Sequence, residues 1–285
     1  MNNYKAMLHH LISEALLEDV GDGDHSTLSC IPESEKGKAI LKVKQAGIIA
    51  GVSVAEKIFM QIEPSAIFKA YKQDGSVMVP GEIAFDIEAS VHTILKCERL
   101  VLNIMQRMSG IATLTRQYAD LLKGYNTKIL DTRKTTPNFR LLEKEAVRIG
   151  GGMNHRFALY DMIMLKDNHI DFAGGLENAI NKAFEYVQTK KPGLKIEVET
   201  RSLDDVQKIL EIGRGKVFRV MLDNFQPSQV EEAVKLIDKA FETEASGGIN
   251  LDNLVDYAKT GVDYISIGAL IHQARSLDLS LKAVN

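Results

Sequence analysis

From Lys128 onward the chain repeats one pattern: a short apolar run, a few polar residues, then an amphipathic segment. The runs are KILD, MIMLK, KIEVE, RVMLD, TEAS and YISIG. Between them lie PNFRLLEKEAVRI, GLENAINKAFEYVQ, SLDDVQKILEI, QPSQVEEAVKLIDKAF and LDNLVDYAK. Short runs of this kind suit strands covered on both faces, and segments with helical apolar spacing supply the cover. Parallel strands joined by crossover helices satisfy that order, so the second half should be α/β. Six units after a long helix point to a (β/α) barrel with fewer than eight strands; a doubly wound sheet is the alternative.

The first half reads differently. Residues 4–18 carry apolar side chains at the spacing of an amphipathic helix, which runs into EDVGDGDHSTLSCIP. There Asp22, Asp24, Ser26 and Glu33 partly match a calcium loop, but Thr27 stands where glycine is needed and Pro32 intrudes, so the stretch reads as a structural loop. From Gly37 to Ser90, short alternating or apolar runs between Gly, Asp-Gly and Pro-Gly turns suggest a small, mostly antiparallel sheet. The segment TILKCERLVLNIMQRMSGIATLTRQYADLLKG then predicts a long helix, with a break expected at Ser109-Gly110.

Composition removes several functions. With 35 Lys plus Arg against 38 Asp plus Glu, the chain has no basic footprint for nucleic acid. No apolar run approaches the roughly 18 residues that span a bilayer, and the N-terminal stretch lacks the pattern of a signal peptide. Two cysteines, Cys30 and Cys97, make neither a disulfide framework nor a thiolate metal site. A reducing, cytoplasmic setting is expected.

Against that near-neutral background, Asp131–His169 stands out, with seven Lys or Arg, two His and five acids. Glu143, Lys144, Glu145 and Arg148 alternate at helical spacing and read as a solvated helix face. Arg133, Lys134, His155, Arg156 and Lys166 fall instead at strand ends or in the GGGMNHRF loop. Gathering several cations in a pocket costs several kcal/mol each unless anions meet them, so the anions should arrive with a substrate. Charge-assisted hydrogen bonds of roughly 1.5–3 kcal/mol each would then hold a small polyanion.

The remaining strand ends extend the inventory, since barrel enzymes place their chemistry at carboxyl ends. The third run ends in Glu197 and Glu199, the fourth in Asp223 and Asn224. Glu199 and Asp223 would repel the anion and so should hold sugar hydroxyls or a hard cation such as Mg²⁺. The fifth run ends in Ser246-Gly247-Gly248 and the sixth in Gly268-Ala269. Glycine turns opening helices after the last two strands predict a phosphate site. His272 lies just beyond, whereas His9, His10 and His92 read as ordinary surface or core residues.

ERLVLNIMQRMSGIAT, DTRKTTPNFR, GGGMNHRFALYDMIMLKDNH, IEVET, VMLDNF, EASGGI and IGALIH, in this order, resemble the quinolinate phosphoribosyltransferase family from about residue 18 to the end. The resemblance implies an N-terminal open α+β sandwich over residues 1–110 and a barrel catalytic domain over residues 111–272, with residues 273–285 rejoining the first. It implies a homodimer with shared active sites, or a hexamer built from dimers. The implied reaction joins quinolinate to phosphoribosyl pyrophosphate with Mg²⁺, giving nicotinate mononucleotide, pyrophosphate and CO₂. Position by position, it places quinolinate on Arg133, His155, Arg156 and Lys166, with Arg99 from a neighbouring subunit. Phosphoribosyl pyrophosphate falls on Lys134, Ser246, Gly247, Gly248, Gly268 and His272; Glu199 and Asp223 hold ribose and metal, and with Lys134 form the catalytic set. Asn138 replaces a common glycine, and Ile271 replaces a threonine beside the phosphate. The competing readings are a nicotinate phosphoribosyltransferase, a molybdate-transport-associated paralogue, a non-catalytic phosphate- or dicarboxylate-binding barrel, and an aldolase with Lys134 or Lys166 as Schiff base.

Overall fold

The computed structural model describes residues 2–284. They pack as two units: one holds the chain up to Arg116, Thr135–Gly151 and the segment from Leu270, the other Gln117–Lys134 and Gly152–Ala269.

The first unit opens with helices α1 (Asn2–Val20) and α2 (His25–Cys30). Asp24 caps α2, accepting from the backbone and hydroxyl of Thr27, so the acidic loop has a structural use. Strands β1 (Lys36–Val43), β2 (Gly47–Ile48), β3 (Ile67–Ala70), β4 (Val77–Met78) and β5 (Ile83–Ser90) follow, with helix α3 (Val52–Ile62) between β2 and β3. The main sheet has the order β12-β1-β5-β3, all antiparallel, in which β12 (Leu279–Val284) returns from the far end of the chain to pair with β1. Phe59, Phe68 and Phe85 stack in its core, the closest ring centres 4.5 Å apart.

Helix α4 (Val91–Leu121) runs without interruption, so the break expected at Ser109-Gly110 does not occur. Those two residues serve close packing instead. The Ser109 hydroxyl accepts from the Ala50 amide at 3.0 Å, and a Cβ on residue 110 would lie 2.0 Å from the Arg275 carbonyl oxygen. A small residue inside a helix marks where another backbone must approach.

The second unit contains the six expected strands: β6 (Lys128–Leu130), β7 (Ile163–Leu165), β8 (Ile196–Thr200), β9 (Arg219–Asp223), β10 (Glu242–Ser246) and β11 (Tyr264–Ser266). Every pairing is parallel, in the order β6-β11-β10-β9-β8-β7. From β7 to β11 the strands advance in one direction, and β6 then joins β11. A doubly wound sheet would reverse direction midway; this order is that of a barrel with six strands. Between β6 and β7 a parallel bridge, Leu130 with Met153, spans the seam. Along the chain the strands alternate with α5 (Arg140–Gly150), α6 (Asp167–Ala173), α7 (Leu176–Thr189), α8 (Leu203–Ile212), α9 (Pro227–Ile237), α10 (Leu254–Lys259) and α11 (Ala269–His272). Among the described residues no helix is long and apolar enough to cross a membrane.

Candidate active site

The carboxyl ends of the six strands carry the expected residues. After β6, Arg133 is half-buried and Lys134 exposed, with the Lys134 amide held by the Thr132 hydroxyl at 3.1 Å. Arg133 Nε is buried and makes no hydrogen bond among the described residues. Arg156 is half-buried and donates to the Met162 carbonyl at 3.1 Å. Burial, and then the neighbouring Arg133, lower its pKa. Two guanidinium groups that repel one another at a strand end form a standing demand for an anion.

Lys166 ends β7 and pairs with Glu199 at the end of β8. Its backbone amide donates to His169 Nδ1 at 3.1 Å, which fixes the turn from β7 into α6. On β9, Asp223 accepts from the Ser246 hydroxyl at 2.5 Å and from the Asn224 amide group at 2.7 Å. The glycine turn after β10 is built around that corner: Gly247 and Gly248 have φ of 93° and 65°, and a Cβ on residue 247 would lie 2.1 Å from Asn224 Oδ1.

The helices beyond this turn depart from expectation. Gly247-Gly248 does not open a helix directly, because α10 begins only at Leu254 and has 6 residues. Gly268 does precede a helix, but α11 is a single turn of 4 residues ending at the exposed His272. Any phosphate recognition here therefore rests on backbone amides of the turns rather than on helix dipoles. Asn138 has φ of 61°, the left-handed region that glycine adopts freely, so the replacement keeps the backbone form. Ile271 is buried and its carbonyl accepts from Arg107 at 2.8 Å.

His155 sits differently from the other cations. It is buried, with Nε2 2.9 Å from Glu197 and 3.2 Å from Glu244, both fully buried. Arg219 completes the group, 3.0 Å from Glu244 and 2.7 Å from Glu242. Burial disfavours charge on His155, but its hydrogen bonds to the two carboxylates outweigh that and raise its pKa. Burial, and then Glu244, push Glu197 up to about 7. The His155 ring and Arg219 offset part of that rise. Sequence reasoning took Glu197 for a strand end and missed Arg219, the first residue of β9, and Glu244, in the middle of β10; charged residues within the strand runs themselves were the available signal.

The assignment of Glu143, Lys144, Glu145 and Arg148 to a solvated face holds for Arg148, which is exposed and pairs with the half-buried Glu145. It fails for Glu143 and Lys144, at 0% and 3% exposure. Glu143 receives two bonds from Arg107, at 2.8 and 3.0 Å, and two from Thr136 in the DTRKTTP segment, at 2.8 and 3.0 Å. A charge buried on a helix needs such partners, and Arg107 lies too far along the chain for spacing to reveal it. Arg99 is exposed on α4.

A parallel six-stranded barrel whose strand ends carry guanidinium groups on one side and carboxylates beside a glycine turn on the other is the form of an enzyme for small, highly charged substrates. Comparison with known proteins makes this specific. Residues 111–282 match the model of the quinolinate phosphoribosyl transferase C-terminal domain, and residues 24–109 that of its N-terminal domain. The chain is 43% identical over 96% of its length to the chloroplastic nicotinate-nucleotide pyrophosphorylase (carboxylating) of Oryza sativa subsp. japonica, covering 77% of that protein. It is 40% identical to a probable enzyme of that name from Bacillus subtilis, over 96% of this chain and 92% of the other. The crystal structure of NadC from Streptococcus pyogenes superposes with a TM-score of 0.88 at 39% identity, covering 96% of both chains. The chain belongs to the quinolinate phosphoribosyltransferase family.

Proposed function

We infer that this protein transfers the phosphoribosyl group of phosphoribosyl pyrophosphate to quinolinate with loss of CO₂, giving nicotinate mononucleotide and pyrophosphate for NAD synthesis. The observation that carries the reading is the Arg133–Arg156 pair: two half-buried cations in mutual repulsion, one with a buried nitrogen that has no hydrogen-bond partner among the described residues. Quinolinate brings two carboxylates, the anions such a site lacks. Arg133, Arg156 and Lys166 bind them, His155 supports them from below, and Arg99 completes the pocket of a second subunit in a homodimer.

Phosphoribosyl pyrophosphate binds across Lys134, Glu199, Asp223, the turn at Ser246, Gly247 and Gly248, and Gly268 with His272. Mg²⁺ fits the donor set. Glu199 and Asp223 are oxygen ligands at adjacent strand ends, and a hard cation that keeps waters and substrate phosphate oxygens needs only one or two carboxylates from the protein. When bound it neutralises charge on the departing pyrophosphate. The protein's own part is positional and electrostatic. It holds the pyridine nitrogen against C1 of the ribose as pyrophosphate leaves; the cationic ring then stabilises the carbanion left at C2 as CO₂ departs, and a proton from solvent takes the place of the carboxylate. No protein general base is required.

Free thiols at Cys30 and Cys97, the latter pushed up to about 12 by burial, support a reducing, cytoplasmic setting. Stoichiometric pyrophosphate and CO₂ from quinolinate plus phosphoribosyl pyrophosphate is the expected result of the decisive assay. Pyrophosphate without CO₂, or turnover of nicotinate alone, would overturn the assignment.

A further inference from the structure

The interior of the barrel contains a charged floor that the reaction as described does not use. Glu197 on β8 and Glu242 on β10 lie opposite Arg219 on β9, and Glu244, two residues further along β10, accepts from the Arg219 guanidinium at 3.0 Å. Glu197, Arg219 and Glu244 are all buried, an arrangement that costs several kcal/mol per ion unless geometry and partners are good. The partners are present: Arg219 contacts Glu242 and Glu244, and the His155 ring closes the group from above at 2.9 and 3.2 Å.

His155 is held at its backbone as well. Its amide donates to Asp131 Oδ1 at 2.8 Å, while Asn154 donates to Asp131 Oδ2 at 2.7 Å. The next residue is Arg156, whose amide nitrogen lies 2.6 Å from His155 Nδ1. Nε2 faces the two carboxylates, 2.9 Å from Glu197 and 3.2 Å from Glu244. His155 is therefore held through its backbone amide and its ring, directly before Arg156 in the chain.

We propose that Glu197, Glu244 and Arg219 are positioning residues for quinolinate recognition: they grip the His155 ring from beneath and so set the direction in which Arg156 meets the substrate. This rests on the quinolinate reading above. It differs from a purely structural role because it predicts a substrate-selective effect. The hydrogen bonds and ion pairs of the floor run to His155 and among Arg219, Glu242 and Glu244, and not to the glycine turn or Lys134, so it should act more strongly on one substrate than on the other.

The test uses Glu197→Gln and Glu244→Gln, which keep shape and one acceptor oxygen while removing charge. Steady-state kinetics are measured for both substrates, and long-range proton–nitrogen NMR of ¹⁵N-histidine-labelled protein reports the His155 ring. The expected result is a cooperative fold, a KM for quinolinate raised about tenfold or more, a KM for phosphoribosyl pyrophosphate within about twofold, and displaced His155 nitrogen shifts. An unchanged quinolinate KM in either folded variant, or equal rises in both KM values, would overturn the proposal. Should the Gln variants not fold, Glu244→Asp decides by the same two KM values, since it keeps the charge and withdraws it by one methylene. If the wild-type protein releases no CO₂ from quinolinate, the functional reading fails; if it does and the variants match it, only the positioning role fails.

Discussion

Glu197 and Glu199 stand two residues apart on β8, so both point to the same face of the sheet. They nevertheless belong to different regions. Glu199 is at the mouth, paired with the half-exposed Lys166 and next to a strand that ends in Asp223. Glu197 lies one layer deeper, enclosed with His155, Glu244 and Arg219. At the mouth the Lys166 side chain is in contact with water although Glu199 is buried, so that pair is open to an incoming anion from the lysine side. On the floor each charge depends on the others, since none can be rehydrated without opening the barrel. The same chemistry thus stands open to exchange at one depth and is enclosed at the other.

The sharpest way to break this distinction is to remove the central cation of the floor. Arg219→Ala would leave buried carboxylates unopposed and should cost about 3–5 kcal/mol of stability, read as a large drop in denaturant midpoint. A variant as stable as wild type would show that the floor is not an interdependent group. At the mouth the effect should fall on binding instead. Arg133→Ala and Lys166→Ala are each expected to weaken quinolinate binding by roughly 1.5–3 kcal/mol in calorimetry, with the thermal midpoint almost unchanged. Wild-type affinity in either would remove it from the pocket. Nicotinate, one carboxylate short, tests the same cations from the ligand side. It should bind about 1–3 kcal/mol more weakly than quinolinate, and the gap should narrow in the Arg133→Ala protein.

The smallest predicted effect concerns pH. The raised pKa of His155 means that the folded protein holds a proton the unfolded chain releases near the ordinary histidine value of about 6.5. Its contribution is full below that value and is lost as pH rises through the folded pKa, which is about 9. Unfolding free energy should therefore fall by about 1–3 kcal/mol between those limits, and Glu197→Gln should flatten the slope. A slope independent of Glu197 would show that the mouth, and not the floor, carries the titration.

Much of this molecule could be read in advance because the relevant signals are local. The six strands were legible because apolar runs between amphipathic segments admit few arrangements, and Arg133, Lys166, Glu199 and Asp223 because they stand where those runs stop. Ser109-Gly110 misled because a helix breaker and a contact point share one signature: the reason for Gly110 is the Arg275 backbone, far away in sequence. Glu143 misled for a related reason, since an i, i+4 charge pattern looks the same whether the helix face meets water or meets Arg107.

By itself, then, the sequence determined the α/β class, the strand order's winding units, and which charges end the strands, since periodicity and turn chemistry act over a few residues. The depth of each charge was decided only by tertiary structure. Whether a carboxylate faces the mouth or anchors a histidine depends on how much water its neighbours exclude, and those neighbours arrive from the loop before β7, from β9 and from β10 only when the barrel forms.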